Sequence, residues 1–163
     1  HLLLADPAFA RVAERADMAR GRSGRAYLRV YSREVPCGAV GERLVQVAPS
    51  PANGICFCQG NFAAMGVDVP QTIRRLGKHI RFVHVRDVRG TPDHFIETFH
   101  DEGPTDMYAA IQAYNAAGFD GVMRPDHVPV LAGESGEAGY TMLGRLFAVG
   151  YMRGLIEAAG KPG

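Results

Sequence analysis

The sequence predicts an α/β fold with parallel strands, from three observations. From about residue 51 onward, short apolar segments with strand character alternate with longer segments of helical spacing. Links after helices are tight, Gly77-Lys78-His79 and Gly118-Phe119-Asp120, whereas links after strands run long, from Val88 to Thr105 and from His127 to Gly139. Finally, each strand segment ends on a polar side chain able to do chemistry: Cys58, His84 and Asp126.

Residues 1–50 stand outside this alternation. Asp6 to Arg20 reads as a helix and Tyr27 to Tyr31 as a weak strand, within a stretch rich in Arg and Gly. The sequence opens on His-Leu-Leu-Leu rather than Met and is expected to be a fragment, with residues 1–47 as an irregular leader and 48–163 as the α/β part. Gly54 to Cys58 is the first strand of the series. Val69 to Leu76 follows as a helix, opened by Asp68 and Pro70 and stopped by Gly77. Ile80 to Asp87 alternates as a strand. Asp106 to Ala117 places Met107, Ala110, Ile111 and Tyr114 at helical spacing before Gly118. Phe119 to Asp126 is a third strand, and Tyr140 to Ala159 a long, largely apolar helix. The order βαβαβα implies parallel strands joined by crossovers. Long links after strand C-termini place the site at that edge, where α/β folds carry their chemistry. Three such units leave a sheet edge to be covered by residues 1–50 or by a further N-terminal half.

Composition narrows the class of function. With 47% apolar and 21% charged residues the chain suits a soluble globular protein, and a net charge of +1 gives no strong pull toward nucleic acid or anionic membrane. No apolar run reaches the ~20 residues of a membrane span, and Asp6, Arg11, Glu14, Arg15 and Asp17 break up any signal peptide. The expected location is cytoplasmic. Three cysteines, Cys37, Cys56 and Cys58, form neither a disulfide framework nor a Cys-x-x-Cys motif. No Gly-rich nucleotide-binding motif occurs.

Strand alternation then sorts the polar residues. Phe82, His84 and Arg86 share one face, and Val83 and Val85 the other; Val122, Arg124 and Asp126 align in the same way, as do Cys56 and Cys58. If the strands are neighbours, a thiolate, an imidazole and a carboxylate converge as ligands for a divalent cation, with Fe²⁺, Mn²⁺ and Zn²⁺ all compatible. His127, one residue past Asp126, leaves the strand on another side and can serve as acid or base. Arg86 and Arg124 can hold a substrate carboxylate.

Each residue also has a plain structural reading. A strand cysteine packs as filler, a strand-end histidine is held by a hydrogen bond, Asp126-His127 caps a turn, and Tyr140 packs at a helix start. Gly133 to Gly139 reads most simply as a flexible loop, with a lid as the alternative. His94, His100, Asp101 and Glu102 read as solvated.

From about Ala48 to Ala159 the chain resembles the C-terminal part of the mannonate dehydratases. The matching stretches are Ser50-Pro51-Ala52-Asn53-Gly54, Cys58-Gln59-Gly60, Phe82-Val83-His84-Val85-Arg86, Thr105-Asp106-Met107-Tyr108, Met123-Arg124-Pro125-Asp126-His127 and Gly139-Tyr140. The resemblance implies a partial TIM barrel, the last three βα units of a (β/α)8 barrel. It also implies a lyase that removes water from D-mannonate to give 2-dehydro-3-deoxy-D-gluconate, using Mn²⁺ or Fe²⁺. By motif it implies Cys58, His84 and Asp126 as metal ligands and His127 and Tyr140 as the acid/base pair, without dividing the two roles. A further histidine ligand of the family, set in His-Pro-Asp-Asp, has no counterpart here, so the resemblance implies part of an active centre. The other readings are a metal-dependent sugar isomerase or epimerase on the same scaffold, and a non-catalytic remnant. A homo-oligomer is a further expectation.

Overall fold

The computed structural model describes residues 15–20, 26–31, 37–47, 49–51 and 53–160, with side chains described from residue 41 onward. The chain divides into two compact units, residues 1–53 and 54–163. In the first, β1 (Arg15–Arg20) and β2 (Ala26–Tyr31) pair antiparallel, and α1 (Cys37–Val47) follows. The helix expected over Asp6 to Arg20 is therefore corrected for its last six residues, which are a strand; residues 6–14 lie outside the described residues. Ladder pairing with Ala26–Tyr31, a tertiary constraint that helical periodicity does not register, decides the conformation.

The second unit runs β3 (Ile55–Cys58), α2 (Gln59–Ala64), α3 (Val69–Leu76), β4 (Ile80–Val85), β5 (Asp87–Thr91), β6 (His94–Thr98), α4 (Met107–Ala116), β7 (Val122–Pro125) and α5 (Met142–Gly160). Among the described residues β3, β4 and β7 form a parallel sheet in that order, so strands successive in the βα series are neighbours in space. Helices α3 and α4 pack together, as do α4 and α5.

Local chemistry accounts for the helices. Asp68 Oδ1 accepts from Gln71 N at 2.7 Å, capping α3, and Pro70 stands in the first turn where its missing N–H costs nothing. Val69, Ile73 and Leu76 recur on one face and are buried. Burying Ile73 and Leu76 contributes about 1.5–3 kcal/mol each. Gly77 ends the helix without left-handed backbone, φ −50°. A Cβ there would collide with the Cβ of Ala117, so glycine permits the close approach of the α3 and α4 ends. Asp106 caps α4 by accepting from Ala109 N at 2.9 Å, and Gly118 closes it at φ +68°. Phe57 stacks on Phe62 at 4.2 Å and meets the edge of Tyr114 at 6.3 Å, fixing β3, α2 and α4 around one aromatic cluster. Val83 and Val85 point into this core, and the opposite face of β4 keeps His84 half-buried.

Three further expectations are corrected. The strand expected over Ile80 to Asp87 ends at Val85, and Asp87 opens a new one. The link from Val88 to Thr105 is not structureless, because β5 and β6 form an antiparallel hairpin with Val88 opposite Glu97 and Thr91 opposite His94. His100, expected to be solvated, is 1% exposed and its Nε2 lies 2.8 Å from the Val85 carbonyl oxygen. His94, Asp101 and Glu102 are exposed, as expected.

Candidate metal centre

The sheet register builds the site. Cys58 stands opposite His84, and His84 opposite Arg124, so the three form one row across the C-terminal edge. The chain then continues extended past β7, where Asp126 N donates to Val85 O at 2.9 Å. That bond carries Asp126 beyond the row and turns its buried carboxylate back over it.

One ligand atom each from Cys58, His84 and Asp126 lies within 4.8 Å of the others. Asp126 Oδ2 is 3.8 Å from Cys58 Sγ and 3.6 Å from His84 Nδ1. A four-coordinate ion bonded at ~2.3 Å to sulfur and ~2.1 Å to nitrogen or oxygen sets its ligand atoms roughly 3.4–3.6 Å apart. The two pairs that include Asp126 lie within a few tenths of an ångström of that spacing, and with all three atoms inside 4.8 Å the donor set fits a divalent cation that draws Cys58 and His84 together. Its electrostatics suit ligation as well. Burial, assisted by Arg124 and Arg86, holds the His84 imidazole below its ordinary pKa despite the opposing pull of Asp126, favouring the neutral form that binds metal. Burial opposes ionisation of Asp126, yet the hydrogen bond from Arg124 and the charges of His84, His127 and Arg86 outweigh it, and its carboxyl lies below the usual range.

The two arginines do different things. Arg86 is 6% exposed, and its guanidinium is shared out: Nε donates to Cys58 Sγ at 3.4 Å and lies 3.3 Å from Asp126 Oδ2, Nη2 donates to Asn61 Oδ1 at 2.7 Å, and Nη1 pairs with Glu97. Burial opposes its charge, but Cys58, Glu97 and Asp126 together raise its pKa further. Gly60 makes room for this arrangement, since a Cβ there would stand 2.7 Å from Arg86 Cγ. Arg124 is the more open of the pair, its side chain 36% exposed, with Nη2 at 2.6 Å from Asp126 Oδ1.

Beside the candidate ligands stands a second group. His127 Nε2 is 2.8 Å from the Tyr140 hydroxyl, their rings meeting edge to face at 4.8 Å. The loop between them is pinned rather than loose: Val128 N donates to Gly139 O at 3.0 Å, and Glu134 accepts from Leu131 N at 3.0 Å and Leu143 N at 2.7 Å. Gly139, at φ +84°, makes the turn that delivers Tyr140.

The seven residues singled out in the sequence as site residues, Cys58, His84, Arg86, Arg124, Asp126, His127 and Tyr140, are thus brought together in one connected set of contacts. Sequence reasoning missed Glu97 and Asn61, which hold Arg86, with Glu97 also 3.0 Å from His127 Nδ1.

Fold and site define an α/β protein with a candidate Cys/His/Asp metal centre at the C-terminal edge of a parallel sheet. Comparison with known proteins makes this specific. The D-mannonate dehydratase (UxuA) family model matches residues 32–162. The mannonate dehydratase of Oceanobacillus iheyensis is 38% identical over 120 residues, 71% of this chain and 34% of the relative. That of Enterococcus faecalis is 40% identical over 121 residues, covering 72% and 34%. The crystal structure of mannonate dehydratase from Streptococcus suis serotype2 superposes with a TM-score of 0.71 at 30% identity, covering 78% of this chain and 38% of that one. This chain belongs to the D-mannonate dehydratase family. It spans about a third of the length of the curated relatives it matches. Among the described residues no helix is long and apolar enough to cross a membrane.

Proposed function

We propose that this chain supplies the C-terminal part of a mannonate dehydratase, a hydro-lyase converting D-mannonate to 2-dehydro-3-deoxy-D-gluconate and water. The observation that carries the reading is the placement of the His127–Tyr140 pair, 2.8 Å apart, directly beside the convergent Cys58, His84 and Asp126. In this reading the three parallel strands are the closing βα units of a TIM barrel, an architecture that places active sites at strand C-termini. The free thiols of Cys56 and Cys58 suit a reducing, cytoplasmic setting. Apolar side chains exposed along α5, Met142 and Leu146 among them, suit a homo-oligomer.

Cys58, His84 and Asp126 would hold the metal, proposed as Mn²⁺ or Fe²⁺. When bound, such an ion supplies Lewis-acid polarisation of the substrate carboxylate and so acidifies the proton on the adjacent carbon. His127 and Tyr140 divide the proton transfers: one removes the C2 proton, and the other protonates the C3 hydroxyl as the C3–O bond breaks and water leaves. The double bond formed between C2 and C3 is an enol, and its tautomerisation gives the 2-keto-3-deoxy acid. Arg124, with the more exposed guanidinium, binds the anionic end of the sugar acid. Arg86 contributes positive charge from beneath, held against Cys58 and Asp126.

The test is incubation with D-mannonate and Mn²⁺, assayed for a 2-keto-3-deoxy acid. It is run with the chain alone and with the chain supplied with the preceding two thirds of the Oceanobacillus iheyensis relative. Product in either arm supports the reading, and product in neither overturns it. An isomerised or epimerised sugar acid that retains its water would support the isomerase reading instead.

A further inference from the structure

Glu97 lies outside every motif that marks the site, on the outer strand of the β5–β6 hairpin. Its Oε1 nonetheless stands 3.0 Å from His127 Nδ1 and pairs with Arg86 Nη1. Arg86 Nε in turn donates to Cys58 Sγ at 3.4 Å, and His127 Nε2 meets the Tyr140 hydroxyl at 2.8 Å. A continuous run of polar contacts therefore joins a candidate metal ligand to the acid/base pair, and Glu97 is its midpoint.

The donor inventory fixes the direction of each bond. A carboxylate only accepts, so the contact with Glu97 requires the proton of a neutral His127 ring to sit on Nδ1. Nε2 is then left with its lone pair, facing Tyr140. Tyr140 then supplies the only proton available to that 2.8 Å contact, so its hydroxyl donates to Nε2. The contacts agree on one assignment: Nδ1–H to Glu97, and Tyr140 O–H to Nε2.

We infer that Glu97 is a positioning residue that fixes the His127 tautomer, so that Nε2 serves as the proton acceptor toward Tyr140 and the substrate. Its carboxylate also holds Arg86 in place, tying the acid/base pair to the candidate ligand set. This inference rests on the dehydratase reading for its functional meaning, but not for its test.

The test uses the full chain labelled with ¹⁵N-histidine. Long-range proton–nitrogen correlation spectra are recorded at a pH about two units above the ordinary histidine value, with His127 assigned by comparison with His127→Gln. The expected wild-type spectrum shows the proton on Nδ1 and a bare Nε2. Tyr140→Phe, which leaves Glu97 in place, is expected to keep Nδ1–H. Glu97→Leu, which keeps bulk and removes the acceptor, is expected to move the proton to Nε2, the form an unconstrained imidazole prefers in water. A wild-type or Tyr140→Phe spectrum with the proton on Nε2, or Glu97→Leu retaining Nδ1–H, overturns the assignment. Should Glu97→Leu not fold, the wild type and Tyr140→Phe decide alone by the same criterion. The readout needs neither metal nor turnover, so its failure is distinct from failure of the dehydratase reading, which product formation decides.

Discussion

Arg124 Nη2 and Asp126 Oδ1 lie 2.6 Å apart, two residues along one extended segment, with Asp126 buried and the Arg124 side chain partly open to solvent. The pair orients the carboxylate whose other oxygen faces Cys58 and His84. Solvent screening on the arginine side limits its strength, and a double-mutant cycle on the metal-free chain with Arg124→Ala and Asp126→Asn should give a coupling of about 1 kcal/mol. Additive effects in denaturant unfolding would contradict this. The sign with pH follows from the lowered Asp126 pKa: its stabilisation is complete above 3.8 and is lost as pH falls through the folded value, and Arg124→Ala should reduce that acid loss.

Metal uptake offers a sharper measurement. Cys58→Ala, His84→Ala and Asp126→Asn should each weaken Mn²⁺ or Zn²⁺ binding by more than about 100-fold, since removing a ligand costs more than the 10–100-fold typical of residues behind the ligands. Cys56→Ala, at an exposed thiol outside the cluster, should leave binding unchanged. Isothermal titration distinguishes these outcomes, and equal affinity in all four variants would remove the site.

His100 gives a separate pH signature. Burial lowers its pKa despite the bond to Val85 and the charges of Asp87 and Asp101. A base lowered on folding stabilises fully above the unfolded value and loses that stability as pH falls, so the loss begins near 6.5. In the metal-free chain, His100→Gln should flatten the stability profile between 6.5 and the onset of carboxylate titration near ~4.5. One proton sets the limit at about 1.4 kcal/mol per pH unit. His84, lowered in the same direction, leaves a residual slope in the variant. Chemical denaturation across that range reads the difference, and parallel profiles would contradict it.

Gly139 and Gly150 should respond oppositely to the same substitution. At φ +84°, with a Cβ placed 3.2 Å from His127 Cγ, Gly139→Ala should cost about 1–2 kcal/mol, lowering the melting temperature by roughly 2–8 °C. Gly150 lies within α5 with open space around it, and Gly150→Ala should stabilise by about 0.5–1 kcal/mol. Calorimetry on the two variants compares them directly.

The elements legible in the sequence are those whose ends carry their own chemistry. Asp68 and Gly77 bracket α3, and Asp106 and Gly118 bracket α4, so both helices fall where capping residues predict. Helix α2 had no such mark: it follows β3 without a break, and its Cys58 N-cap makes no side-chain capping bond. The hairpin was hidden because β5 is buried at its start and exposed at its tip, which erases the alternation expected of a half-buried strand. The row of Cys58, His84 and Arg124, with Asp126 just past its end, could be read because strand periodicity and a parallel register together determine it. Glu97 could not, since its proximity to His127 depends on a hairpin that brings it back beside the strand ends, and nothing local in the sequence encodes that distance.

The β5–β6 hairpin separates two tasks that a shorter link would merge. Its turn, Pro92-Asp93, is distant in register from Glu97, which stands opposite Val88 at the base. Changes in length at the tip leave that base pairing intact, whereas a single-residue slip between the legs would send the Glu97 carboxylate to the opposite face. The parallel sheet sets where the candidate ligands stand, and the hairpin sets which proton the neighbouring imidazole carries. Scaffold and proton inventory are thus adjustable independently, the one through strand packing and the other through the geometry of a solvent-facing arm.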